Sequence, residues 1–242
     1  MRGIWLVARR ELYTYLNSMW GYIVVAVILV INGLLFNAFA MSDRARLSFE
    51  VLRDFFYFSF GTTVIASILL TMRLIAEEKQ TNTIVLLDSS PITDWQVVLG
   101  KYLSSMAVLG TLIVSTAYMP ALIFVNGKVS VGHIFAGYLG LLMVGSATVA
   151  IGTFASTLSK SQLVSAVIGG VITVFLLVSW LLAKLTDPPL NAILSYLSLF
   201  DRHFRTTFME GRIESADLVF FGSVTFVFLM LATRVFESRR WA

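Results

Sequence analysis

An all-α membrane protein of six transmembrane helices is the fold class this sequence predicts, on three observations. Of its 242 residues 57% are hydrophobic and only 13% are charged, against roughly a quarter charged in an average soluble domain. The charges are clustered, so six windows carry none: Leu12 to Ser42, Phe55 to Met72, Tyr102 to Gly127, Val129 to Ser159, Ser161 to Ala183 and Leu218 to Thr233. Each approaches or exceeds the roughly 20 apolar residues of helix that cross a hydrocarbon core, where only helices and closed barrels satisfy their own backbone groups. The predicted spans are approximately 21–39, 55–72, 104–124, 134–158, 163–182 and 218–236, within one domain covering 1–242. The last window is short, so Arg234 or Asp217 must snorkel toward the headgroups.

Residues 2–19, wrapped on a helix, place Trp5, Ala8, Leu12, Tyr15, Leu16 and Met19 on one side and Arg10, Glu11, Thr14, Asn17 and Ser18 opposite. A helix divided this way lies along a membrane interface, and Trp20-Gly21 is where it bends into the first span. The alternative is a plain extension of that span. Within it, Asn32 and Asn37 read as interhelical hydrogen-bond donors.

The connection between spans two and three is the most informative stretch. It reads AEEKQTNTIVLL from Ala76 and SSPITDWQVVLGK from Ser89. Arg73, Glu77, Glu78 and Lys79 extend the second helix beyond the lipid, and Asp88, Ser89, Ser90 and Pro91 break it. Thr93 is the N-cap of the next helix, with Gln96 at the reciprocal capping-box position. In between, Thr83 to Leu87 form an apolar patch on a loop. Such a patch either docks a partner or tucks against its own chain, and composition favours neither.

The fourth span carries Ala136 and Gly140, then Thr148, Gly152 and Ser156, at four-residue spacing, which lets helix backbones approach closely in lipid. Pro120 in the third span and Gly169 and Gly170 in the fifth are places for kinks. Between spans five and six, Leu190 to Phe200 is too short to cross and too apolar for a free loop, so it reads as an interfacial or re-entrant pair of short helices, with Gly211 turning the chain toward the last span. Asp201, Arg202 and His203 read as solvated surface rather than a catalytic set.

An even number of spans puts both termini on one side. That side receives ten Lys and Arg (Arg2, Arg9, Arg10, Arg73, Lys79, Lys101, Lys160, Arg234, Arg239 and Arg240) of the 18 in the chain, so both termini are expected in the cytoplasm. No basic run with interleaved aromatics suggests nucleic acid. No metal-ligand spacing, nucleophile elbow or intact phosphate-binding loop is found; around Gly100-Lys101, Trp95 and Tyr102 occupy positions that such a loop reserves for glycine and Ser or Thr. Catalytic, metal and cofactor sites are therefore expected to be absent. Apart from Arg234 near the end of the last one, the predicted spans hold no Asp, Glu, Lys or Arg to couple an ion gradient.

Three places resemble the permease subunit of type-2 ABC exporters, closest to the gliding-motility and copper-maturation branch. ARRELYTYLNSMWGYI (Ala8 to Ile23) resembles its entry helix. Glu77, Glu78, Thr83, Leu86, Leu87, Pro91, Gly100 and Lys101 match the pattern of its cytoplasmic connection. The stretch from Leu197 to Phe221 resembles the outer loop entering the final span. The family often has Gly before the Thr of the connection, where this chain has Asn82. The resemblance implies a bacterial inner-membrane subunit with two permease chains, identical or not, and two cytoplasmic ATPase subunits that bind ATP and Mg. It implies that Glu77, Glu78, Lys79, Thr83, Leu87 and Asp88 form the ATPase contact, with Trp5, Arg10 and Glu11 on the entry helix. The cargo expected is lipid-like, glycan or amphipathic, and an auxiliary membrane or periplasmic subunit is a further partner. The alternative is a non-transporting scaffold that anchors a protein complex through the same loop.

Overall fold

The computed structural model describes residues 2–40, 47–83, 92–126 and 130–238. Among these residues all regular structure is helical. An entry helix α1 (Arg2–Asn17) leads into α2 (Met19–Leu35), which ends in a wide turn at Phe36–Ala40. Then come α3 (Ser48–Thr71), the short α4 (Ala76–Gln80), α5 (Asp94–Ser115), α6 (Tyr118–Asn126), α7 (Val131–Leu158), α8 (Gln162–Lys184), α9 (Leu190–Leu197) and α10 (Ser215–Ser238). Six stretches are long and apolar enough to cross a membrane: Met19–Phe39, Ser48–Gln80, Asp94–Ile123, Val131–Leu158, Gln162–Lys184 and Ser215–Ser238.

Helix α7 is the hub, packed on α3, α5, α8 and α10. Its small residues make this possible, as their spacing predicts. A side chain at Gly140 would collide with Phe208, and one at Gly145 would meet Leu109 at 2.7 Å. Thr148 donates to Ser67 Oγ across the α3 interface (2.9 Å). In a medium as apolar as the side chains themselves, such close approaches and hydroxyl contacts carry the association.

Pro120 acts four residues upstream. Its ring clashes with the carbonyl of residue i−4 and its nitrogen offers no donor, and the third span is interrupted between Ser115 and Tyr118. Thr116 Oγ1 turns back to Ile113 O (2.7 Å). Gly169 and Gly170 produce no break in α8; Gly169 instead faces Ala155 and Gly152. Asn32 is buried and engaged in an interhelical hydrogen bond, its Oδ1 accepting from Thr62 Oγ1 (3.0 Å), and Asn37 is exposed.

The short helices expected between the fifth and sixth spans are present: α9 is the one within 190–200, and short helical turns follow at Asp201–Arg205 and Phe208–Glu210. Beyond α9, Leu199 N–H donates to Leu176 O (3.3 Å), eight residues and so about 12 Å of helix back from the end of α8. The chain dips into the bundle and returns. Gly211 has φ 76°, the left-handed turn expected of it. His203 departs from its surface assignment: it is 1% exposed, held by Asp217 Oδ1 at Nδ1 (2.6 Å) and by Tyr196 O at Nε2 (2.9 Å), with its ring 3.8 Å from that of Phe220.

Candidate coupling site

Helix α3 does not run straight into the charged stem. Thr71 Oγ1 bonds back to Ser67 O (2.7 Å), a contact that bends helices, and the helix gives way to turns over 72–75 before α4 resumes. A broken helix leaves carbonyls and N–H groups unpaired, and here three other elements satisfy them. Tyr15 of α1 donates its hydroxyl to Leu70 O (2.6 Å). Lys101 of α5 donates to Leu74 O (2.7 Å). Ser156 of α7 accepts from the N–H groups of Ile75 (2.9 Å) and Ala76 (3.0 Å), capping α4 from outside. Burial pushes the Tyr15 hydroxyl well above its ordinary value, so it stays a neutral donor.

Lys101 is the centre of this joint. Its side chain is 1% exposed, and its Nζ reaches Glu11 Oε1 and Glu78 Oε1, both at 2.9 Å. With Leu74 O these make three acceptors for three ammonium protons. One buried cation therefore ties α1, the α3–α4 break and α5 together. Gly100 beside it is required by the packing: a Cβ there would lie 2.7 Å from Val7 Cβ and 3.0 Å from Ile4 O, so only glycine lets α1 lie this close to α5. The Gly-Lys pair thus has a structural reason distinct from phosphate binding.

The expected site residues separate into two groups. Glu78 and Glu11 turn inward onto Lys101. For Glu11 this corrects the helical-wheel placement, which put it opposite Ala8 and Tyr15; all three share the face that docks on α5 and the break, with Val7, while Trp5, Leu16 and Met19 are exposed. Arg10 is exposed. Glu77 is gripped bidentately by Arg73 (2.7 and 3.2 Å), whose Nη1 also donates to Ser18 Oγ (3.3 Å) at the α1–α2 elbow. Lys79 Nζ donates to Thr157 O. Gln80, Thr81, Asn82 and Thr83 are exposed. Leu87 and Asp88, with the rest of 84–91, lie outside the described residues.

Asn82 takes φ 56°. It follows the C-cap Thr81, whose N–H donates to Glu77 O (2.9 Å), at the position where helices end in a left-handed residue. Asparagine is the side-chain-bearing residue that best tolerates this conformation, so it reproduces the turn that glycine would make.

Between α1, α4 and α5 opens a cleft of about 210 Å³, lined by Arg10, Glu11, Arg73, Glu77, Glu78 and Lys101 among others. Its three cations and three carboxylates balance. Sequence reasoning found the acids, Gly100 and Lys101, and the capping box, which is present with Thr93 N–H donating to Gln96 Oε1 (3.4 Å). It missed Tyr15 and Ser156 as the groups that hold the break, because an apolar-looking tyrosine and a small-residue serine carry no signal of a distant backbone partner. On the opposite end of the bundle, His133 Nε2 meets Met209 O (3.0 Å). Among the described residues no group of His, Asp or Glu is arranged to hold a metal ion.

No curated protein matches the sequence. The family model described as ABC-2 family transporter protein matches residues 47–200, a segment that includes the second to fifth spans, the broken stem and Lys101. The match covers well over half of the chain, and this chain belongs to the ABC-2 transporter family, as a membrane-spanning subunit of an ABC transporter.

Proposed function

We propose that the chain forms half of the membrane pathway of an exporter, and that a cytoplasmic ABC ATPase drives it by gripping the connection between α3 and α5. The family implies the ATPase partner; that there are two copies, that a second permease chain completes the pathway, and that the termini face the cytoplasm of a bacterial inner membrane are parts of this reading. Within the family, this reading places it with the gliding-motility and copper-maturation permeases that it resembles.

One observation carries it. The stem is anchored from three sides by Tyr15, Lys101 and Ser156, and it presents the exposed Gln80 to Thr83 beyond the anchor. A push on those residues is passed to α1, α5 and α7 together. Glu77, with its side chain 38% exposed, and Thr83 are the outward contacts with the ATPase, and Leu87 and Asp88, outside the described residues, belong to the same proposed contact. Glu78 serves from within, as the link to Lys101.

The other end of the bundle supports a reading of the cargo. A groove of about 400 Å³, lined by Ile31, Leu35, Tyr57, Phe60 and Phe200 among others, opens between α2, α3 and the returning loop. Its wall is apolar and aromatic, which suits a lipid-like or amphipathic cargo over a free glycan.

The chain contains no cysteine, so a single cysteine introduced at Thr81 or Thr83 reports alone. Cross-linking from either position to the co-purified ATPase is the expected result. Modification of those cysteines by an impermeant reagent added outside intact cells overturns the proposal.

A further inference from the structure

We infer that α1 carries a binding surface for anionic phospholipid headgroups, and that lipid held there sets the position of the coupling stem. The inference rests on the proposed role of that stem, and its first test is independent of it.

The side of α1 turned away from the protein bears Trp5, Leu6, Tyr13 and Leu16, each 60 to 70% exposed. At 100° per residue, Arg9 falls between Trp5 and Tyr13 on the same arc, and it is exposed. Bulk water disfavours so many bare aromatic and aliphatic side chains together, and hydrocarbon disfavours an arginine among them. A headgroup layer accepts both, with the rings at the boundary and the guanidinium among phosphates.

The sign of the headgroup follows from the ion pairs. Glu11 is the one acidic residue of α1, and Lys101 draws it to the inner side at 2.9 Å. The outward half of the helix therefore presents Arg9, with Arg10 at its border by the cleft, against no carboxylate of its own helix. A zwitterionic headgroup brings its own cation with its phosphate and leaves the net charge unmatched, whereas an anionic headgroup matches it.

The consequence for function comes from the same glutamate. Glu11, Lys101 and Glu78 form a continuous ion-paired chain from α1 to the stem, and Gly100 holds α1 against α5 with no slack. A shift of α1 in the headgroup layer is thus carried to α4. Anionic lipid would fix α1, and with it the resting position of the stem.

The first test uses the chain reconstituted in phosphatidylcholine vesicles with spin-labelled phosphatidylglycerol or spin-labelled phosphatidylcholine as the probe. A basic residue at a membrane surface contributes roughly fivefold in affinity for anionic lipid. The wild type is expected to prefer phosphatidylglycerol by about that factor or more, and the Arg9→Gln variant, which leaves the cleft-lining Arg10 in place, to lose most of the preference. Equal association of the two lipids with the wild type, or an unchanged preference in the variant, overturns the site. The second test measures ATP hydrolysis by the complete transporter in phosphatidylcholine vesicles with and without phosphatidylglycerol. Hydrolysis that rises several-fold with the anionic lipid in the wild type, but not in the variant, supports the link to the stem. A lipid preference without any effect on hydrolysis overturns that link while leaving the binding surface standing. A chain that binds the lipid but fails to cross-link to the ATPase through Thr81 or Thr83 sinks the stem reading alone.

Discussion

The two ends of this bundle are closed by different chemistry. At the stem end the fastening is ionic: Lys101 with Glu11 and Glu78, and Arg73 with Glu77, around a cleft open to water. At the loop end it is aromatic, with Phe60, Phe204, Phe208 and Phe221 fully or nearly buried and His203 stacked on Phe220 over its bond to Asp217. Dispersion contacts lose much of their attraction when a gap of half an ångström opens, while an ion pair weakens only inversely with distance. A joint of charges keeps hold of its partners as helices shift, and a joint of stacked rings holds one geometry. By this contrast the stem end suits movement as a linked body and the loop end suits a single geometry.

The largest effect expected from breaking this contrast is at Lys101. Lys101→Met removes the cation and leaves Glu11 and Glu78 partly buried and unpaired, a loss of up to about 3–5 kcal/mol. The purified variant should unfold at lower temperature and release the ATPase. Adding Glu11→Gln and Glu78→Gln removes the stranded charges, so the triple variant should recover most of the stability. If the triple variant is no better than the single one, repulsion between stranded carboxylates is not what the lysine prevents.

His203→Ala comes next. It removes the stacked ring and strands Asp217, whose Oδ2 already has no hydrogen-bond partner among the described residues, at a cost of about 3 kcal/mol. Here the comparison sharpens: the melting temperature should fall nearly as far as for Lys101→Met, yet the ATPase should still co-purify. Loss of the ATPase from both variants would erase the distinction between the ends.

A smaller effect is expected at Gly100. The added methyl of Gly100→Ala must displace Val7, an overpacking cost of about 1–3 kcal/mol. Hydrogen exchange should quicken in Arg2–Asn17 while the loop end keeps its protection. Uniform change along the chain would mean that α1 is not a separately docked element.

What the sequence made legible follows the same division. Spans, the capping box at Thr93, the break ahead of Pro120, the small face of α7 and the turn at Gly211 each depend on local chemistry, and local chemistry is written in neighbouring residues. The orientation of α1 was not legible. In water the apolar side of a helix points inward, but beside lipid it can point outward, so Trp5 and Leu16 could not say which way they faced. Glu11 faces the protein because Lys101, ninety positions away, is there to receive it. His203 was hidden for the same reason: a histidine in a polar run looks solvated until Asp217 and Phe220 fold over it. At the candidate site the acids were visible from the sequence, whereas their division into an outward Glu77 and an inward Glu78 depended on tertiary structure.

The finest test concerns Asn82, where the stem turns toward its exposed tip. Its φ of 56° suits glycine or asparagine and places the Cβ of a branched residue against its own backbone, at roughly 1–2 kcal/mol. Asn82→Gly should leave stability within about 0.5 kcal/mol of the wild type, since relief of strain is offset by the freedom glycine gains when unfolded. Asn82→Val should cost about 1–2 kcal/mol locally and, because the turn is exposed and can refold without disturbing the bundle, should barely move the melting temperature. Its effect belongs in coupling: a valine that pushes the residue into an extended conformation re-aims Thr83 and everything after it. ATP hydrolysis by the assembled transporter should therefore drop in the valine variant and persist in the glycine variant, at equal thermal stability. Equal hydrolysis in both would mean that the direction in which the stem delivers the chain at Asn82 does not matter to the subunit that receives it.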